Sequence, residues 1–239
     1  MTSGKRIPLI YLPGIDGSPG PGEMVLANFP GHPALQSCYP LGSLQHFDEL
    51  EAKVLDDADR AGFQSFVLIG ESFGGALAQR LALRAPERVA GLVLIASFLW
   101  HPSPLLGRVV GYAMRHWPRW SLYYPVRWAA YWQLARHLEL SKREELYEAI
   151  LSMPLPDIGR RLLTLEGFDQ RPGATSMPQP AFWIWGSRDE LIDVEGQREW
   201  LASHRSRDGI AVIDGADHVI ARGRIEPLAT HIRTFLDGL

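Results

Sequence analysis

The chain has 239 residues, 46% of them hydrophobic, a formal net charge of -3 and one cysteine, Cys38. That length suits a single α/β domain burying about 70 to 75% of the surface its unfolded form exposes, and a lone thiol excludes an internal disulfide framework. The acidic balance argues against nucleic acid, no apolar run approaches a membrane span, and the amino terminus lacks a signal-peptide core, so the expected compartment is the cytoplasm.

Residues 7–12 form a short apolar run that ends in Pro13-Gly14-Ile15-Asp16-Gly17. This predicts a central strand delivered into a tight loop, and loops at strand carboxyl ends are where α/β proteins bind ligands. Residues 18–33 are rich in Gly and Pro, with a short amphipathic piece at 23–29. Residues 35–41 predict a second strand. Residues 46–61 predict a helix whose apolar face is Phe47, Leu50, Val54, Leu55 and Ala58.

The stretch that organises the chain comes next. Residues 65–69 read as a buried strand that enters Gly70-Glu71-Ser72-Phe73-Gly74, and residues 75–85 have the Ala and Leu spacing of a helix. A serine at the apex of such a turn sits in a strained conformation with its hydroxyl clear of the sheet. Gly70 and Gly74 omit β-carbons that would collide there, and helix amides behind the serine favour incoming negative charge. Pro86-Glu87-Arg88 breaks the helix, and residues 89–96 predict another strand. Alternation of this kind implies a parallel sheet with helices on both faces.

The pattern then changes. Residues 98–138 hold Arg108, Arg115, Arg119, Arg127 and Arg136 without one Asp or Glu, together with Trp100, Trp117, Trp120, Trp128 and Trp132. Helical character persists to about Phe168, too long for a loop and unlike another βα unit. The expected division is a core of residues 1–97 and 171–239 and a helical cap insertion of 98–170. The cap tryptophans are expected to pack on the core, with Trp128 and Trp132 spaced to share a helix face. Alternation resumes with a strand at 180–185, a helix at 194–202, a last strand at 209–213 and a closing helix near 224–236.

A serine hydroxyl is a poor nucleophile unless a base reaches it and a third group orients that base. Of eight histidines, His218 alone stands in a glycine-containing loop between the last strand and the last helix. Asp189, in the loop after Ile184-Trp185-Gly186, is the candidate orienting acid, with Glu190 and Asp193 as rivals and Asp217 read as a loop hydrogen-bonding residue. Backbone N–H groups of Ile15 and Phe73 are the candidate oxyanion donors, commonly worth about 3 to 4 kcal/mol each. Ile15, Phe73 and Trp100 are expected to line the substrate pocket. No metal-ligand cluster, dinucleotide fingerprint or P-loop occurs, so no cofactor is expected.

Gly70-Glu71-Ser72-Phe73-Gly74-Gly75, Trp185-Gly186-Ser187-Arg188-Asp189 and Gly215-Ala216-Asp217-His218 resemble the nucleophile elbow, acid loop and histidine loop of the α/β-hydrolase family. Pro13-Gly14 stands where the family often has His-Gly, and the core resembles a shortened one that starts at the family's third strand. The resemblance implies an α/β-hydrolase fold with a mostly parallel sheet, a cap, and ester hydrolysis by Ser72, His218 and Asp189 through an acyl-enzyme. A serine nucleophile separates the chain from the dehalogenase and epoxide-hydrolase branches. It also resembles pimeloyl-carrier-protein methyl esterases in size and small cap, which implies an acidic carrier protein as a partner for the basic block. The arginines could instead pair with acidic core residues or face a membrane surface. Carbon–carbon bond hydrolysis, acyl transfer to an alcohol and a non-catalytic binding module are the competing readings.

Overall fold

Along each central strand successive side chains alternate between two layers, as a pleated strand covered on both sides requires. Ile10, Leu12, Leu68, Leu92, Leu94, Trp183 and Trp185 enter one core, while Leu9, Tyr11, Val67, Ile69, Val93, Ile95 and Ile184 enter the other. The computed structural model describes residues 6–42, 46–101, 103–130, 133–134 and 136–239.

The elements run β1 (Leu9–Leu12), α1 (Gly20–Leu26), β2 (Ala34–Gln36), α2 (Phe47–Arg60), β3 (Phe66–Glu71), α3 (Phe73–Arg84) and β4 (Val89–Ile95). Helices α4 (Pro104–His116), α5 (Arg119–Ala130), α6 (Leu140–Ser152), α7 (Leu155–Thr164) and α8 (Arg171–Ser176) follow. The chain closes with β5 (Ala181–Gly186), α9 (Val194–His204), β6 (Gly209–Ile213), α10 (Ile220–Gly223) and α11 (Ile225–Asp237). The sheet order is β2-β1-β3-β4-β5-β6 and every described pairing is parallel. All carboxyl ends therefore share one edge, and the strand order reverses between β1 and β3, where α/β sheets open a crevice.

The second strand is shorter than the sequence suggests. Its one described partner, β1, gives way to Pro13, so after Ser37 N–H donates to the Tyr11 carbonyl at 3.0 Å no ladder remains, and Leu41 is exposed. The helix after Ser72 begins at Phe73, because the Gly75 and Ala76 N–H groups already bond the Ser72 carbonyl. The helical stretch between β4 and β5 extends to Ser176 through α8. Of its tryptophans only Trp100 is seen to pack on the core as expected: Trp117, Trp120 and Trp128 are exposed, and Trp132 lies outside the described residues.

A buried ion pair ties the end of this stretch to the core. Arg205 Nε donates to Asp208 Oδ2 at 2.6 Å, its other nitrogens bond the carbonyls of Ala174, Met177 and Gln179, and Asp208 also accepts the Trp183 indole N–H at 3.2 Å. Both charged side chains are almost fully buried. Arg205→Met strands the carboxylate and three carbonyls, so urea unfolding is expected to show a loss of about 3 to 5 kcal/mol.

Candidate active site

Strand register sets the site. Leu12 pairs with Gly70, so the loop that leaves β1 runs beside the turn that leaves β3. At that turn Ser72 has φ 51° and ψ -113°, a conformation that costs a non-glycine residue roughly 1 to 3 kcal/mol. The approach is close enough to exclude side chains. A β-carbon on Gly74 would stand 2.2 Å from the Leu12 carbonyl oxygen, and one on Gly70 2.6 Å from that of Gly74. Backbone bonds hold the bend: Ser72 N–H donates to Ile95 O at 2.8 Å, and the Ser97 hydroxyl donates to Ser72 O at 3.0 Å.

His218, on the loop after β6, reaches this serine. Its Nε2 lies 3.0 Å from Ser72 Oγ and its Nδ1 2.8 Å from Asp189 Oδ2. Asp189 Oδ1 accepts the N–H groups of Leu191 at 2.9 Å and Ile192 at 3.1 Å, which fixes the carboxylate in its loop. The Asp189 and His218 side chains are buried. The rivals are engaged elsewhere. Asp193 caps α9 by accepting Gly196 N–H, Glu190 pairs with Arg136, and Asp217 accepts from the backbone N–H of His137 at 3.0 Å and meets its Nδ1 at 2.7 Å.

A second buried carboxyl stands behind the serine. Tyr11, read from sequence as an apolar strand residue, turns its hydroxyl to Glu71 Oε2 at 2.5 Å. Burial pushes the Glu71 carboxyl up, against the opposing pull of the Tyr11 hydrogen bond and of His218 and Arg222. Burial alone would lower the His218 pKa, but the charge and hydrogen bond of Asp189, with Glu71 behind, outweigh it and leave the imidazole above its ordinary value.

The loop facing Ser72 is held from the helical stretch. Arg161, fully buried on α7, donates to the carbonyls of Ile15 at 2.8 Å and Asp16 at 3.1 Å and lies over the Tyr39 ring, whose hydroxyl donates to Pro13 O at 2.7 Å. Gly14 O accepts Gly17 N–H at 2.9 Å. In a trans peptide the Ile15 N–H therefore points out of the turn. The Phe73 N–H occupies the first helical position, where no intrahelical acceptor exists. The Phe73 ring is buried and stacks on Phe47 at 5.2 Å. Trp100 is half-buried, carries Arg171 5.0 Å over its ring and bridges Asp169, and is not joined to Ser72 or His218 by any described contact.

Sequence reasoning did not single out Tyr11, Ser97, His137 or Arg161 as parts of the site. Each acts across a long chain separation, and only the Arg136 pairing had a sequence signal, the acid-free block. Among the described residues no group of three or more His, Cys, Asp or Glu is placed to hold a metal ion.

Known proteins place the chain. The pimeloyl-[acyl-carrier protein] methyl ester esterase of Nitrosomonas europaea is 29% identical over 211 residues, covering 80% of this chain and 76% of that protein. The enzyme of the same name from Neisseria meningitidis is 24% identical over 236 residues, covering 89% and 82%. Among solved structures, the enol-lactonase of Burkholderia xenovorans superposes with a TM-score of 0.86 at 17% identity over 99% of this chain and 94% of its own. A thermophilic esterase of Thermogutta terrifontis gives 0.80 at 16% identity over 98% and 91%. These likenesses establish the α/β-hydrolase fold. Residues 44–223 match the family described as Serine aminopeptidase, S33, and with three quarters of its length inside that match the chain belongs to this family of α/β hydrolases.

Proposed function

We propose that the protein is a carboxylic ester hydrolase in which Ser72, His218 and Asp189 act as a triad. The observation that carries this reading is the unbroken line from Ser72 Oγ through both imidazole nitrogens to Asp189, at 3.0 and 2.8 Å. As Ser72 Oγ attacks the ester carbonyl, its proton passes to His218 Nε2; collapse of the tetrahedral adduct gives that proton to the leaving alkoxide and leaves an acyl-serine. Water then gives a proton to the same nitrogen and attacks the acyl carbon; collapse of this second adduct releases the acid, and His218 returns the proton to Ser72 Oγ. Asp189 holds the imidazole in place and stabilises the imidazolium each time it forms.

The N–H groups of Ile15 and Phe73 are read as the oxyanion donors, supported by the outward turn of the first and the helix-start position of the second. Ile15 and Trp100 pack against the core cluster that contains Phe73, which supports these three as the inner wall of the acyl pocket. Stacking of Phe73 on Phe47 means its replacement would disturb packing as well as selectivity. Residues 98–170 are read as a cap, supported by the hold of Arg161 on the β1 loop. The strained Ser72 backbone favours catalysis over a binding module, because strain of this kind is kept where a reaction uses it.

A second substrate follows from the named relatives, an acyl methyl ester carried on an acidic protein. The basic block offers it less charge than the sequence suggests, since Arg136 pairs with Glu190 in the acid loop and Arg108 reaches Glu166 at 3.4 Å.

Hydrolysis of p-nitrophenyl esters from acetate to palmitate tests the reading. Ser72→Ala is expected to lower kcat by roughly 10⁴-fold or more, and Asp189→Asn by about 10³ to 10⁴-fold. Equal rates in native and Ser72→Ala protein would exclude Ser72 as the nucleophile.

His218 accepts a proton only when neutral, so kcat/KM rises with pH through its pKa. With that pKa raised, the acid limb is expected above the ordinary imidazole value of about 6.5. Glu71→Gln removes a charge that raises it, so the limb should move to lower pH; a purely structural effect would lower kcat with the limb in place.

A further inference from the structure

Helices α4 and α5 are built inside out. On α4 the glycines face the protein: a β-carbon on Gly111 would stand 3.0 Å from the Gly159 carbonyl oxygen of α7, and one on Gly107 2.6 Å from the His101 ring. The large side chains Leu105, Val109 and Tyr112, spaced i, i+4, i+7, form a stripe on the opposite side with Leu106 beside it. On α5 Leu122 is buried, whereas Trp120, Tyr124 and Trp128, spaced i, i+4, i+8, share the outward side, and Trp117 precedes them. Trp120 is 81% exposed, and even Leu106, the least open of these eight, is 49% exposed.

Apolar surface of this density on a water-soluble face marks a contact. Its charge says with what. The sequence from 98 to 138 has no carboxylate, and Arg115 and Arg108, the latter at 3.4 Å from Glu166, flank the α4 stripe on exposed positions. A second copy meeting this face across a two-fold axis would set arginine against arginine. An acidic protein would answer the arginines, but four of the eight outward side chains on α4 and α5 are Trp or Tyr on α5 and its approach. Trp and Tyr settle at the headgroup level of a bilayer, and arginine heads pair with phosphate while their stems stay in apolar surroundings.

We propose that the outward face of α4 and α5 docks the protein on an anionic lipid surface. The contact is interfacial, since no helix among the described residues is long and apolar enough to cross a membrane. It does not depend on the hydrolytic reading, because binding is measured without substrate.

The test is co-sedimentation of the full chain with vesicles of phosphatidylcholine alone and of phosphatidylcholine with phosphatidylglycerol. Binding to the anionic vesicles, weakened by salt and accompanied by a blue shift of tryptophan emission, is expected. Trp120→Ser combined with Trp128→Ser should weaken it by about tenfold or more while leaving p-nitrophenyl acetate hydrolysis unchanged. Leu105→Gln with Val109→Gln should act in the same direction from the other helix. Absence of binding to either vesicle, or equal binding by both variants, overturns the proposal. Without vesicle binding, a dimer lost in the variants would assign the face to self-association, and capture of an acidic carrier protein lost in them would assign it to a protein partner.

Discussion

Ser72 can hold a positive φ only where its neighbours have given up their side chains. Gly70, Gly74 and Gly75 do so against the Gly74 carbonyl, the end of β1 and the Ser97 side chain respectively. The strain, of order 1 to 3 kcal/mol, is then distributed over bonds that also join the strands. Ser72 N–H is fixed on β4, Ser97 bonds the Ser72 carbonyl, and the Ser97 carbonyl takes the Trp185 indole N–H at 2.8 Å. Ala96 between them is the other described non-glycine residue with positive φ. One bend thus joins the carboxyl ends of β3, β4 and β5 beside the loop that carries Asp189.

The helical stretch between β4 and β5 completes the edge. Arg161 holds the carbonyls of the loop opposite Ser72, while the adjacent residues Arg136 and His137 reach the neighbours of Asp189 and His218. Arg143 donates to the Arg136 and Leu138 carbonyls, so the turn that carries this pair is itself braced. The stretch is so attached to the loops that carry Asp189 and His218 through the neighbouring residues Glu190 and Asp217.

What the sequence disclosed and what it hid divide by the range of the interaction. Strand, bend and helix around Ser72 were legible because glycine, serine and an apolar run act on near neighbours. Asp189 and His218 could be singled out because each stands in a short loop after a recognisable strand. Tyr11 carries no such mark: its alternation places it in a core, and only the fold brings Glu71 to its hydroxyl. The length of β2 was hidden because it depends on where its partner stops. The outward side of the helical stretch was hidden for a related reason. Composition says that large apolar side chains are buried, but on α4 Gly111 meets Gly159 of α7, so that helix packs through its small face and leaves Leu105, Val109 and Tyr112 outside.

The clamp on the β1 loop spans 146 residues, from Arg161 back to Ile15. The bend at Ser72, by contrast, is closed by contacts no further along the chain than Ser97. During synthesis the serine turn has all its own neighbours long before the guanidinium that fixes the loop opposite it leaves the ribosome, and His218 comes later still. The two sides of the candidate site thus enter the chain in order: the bend first, the clamp on the facing loop next and His218 last.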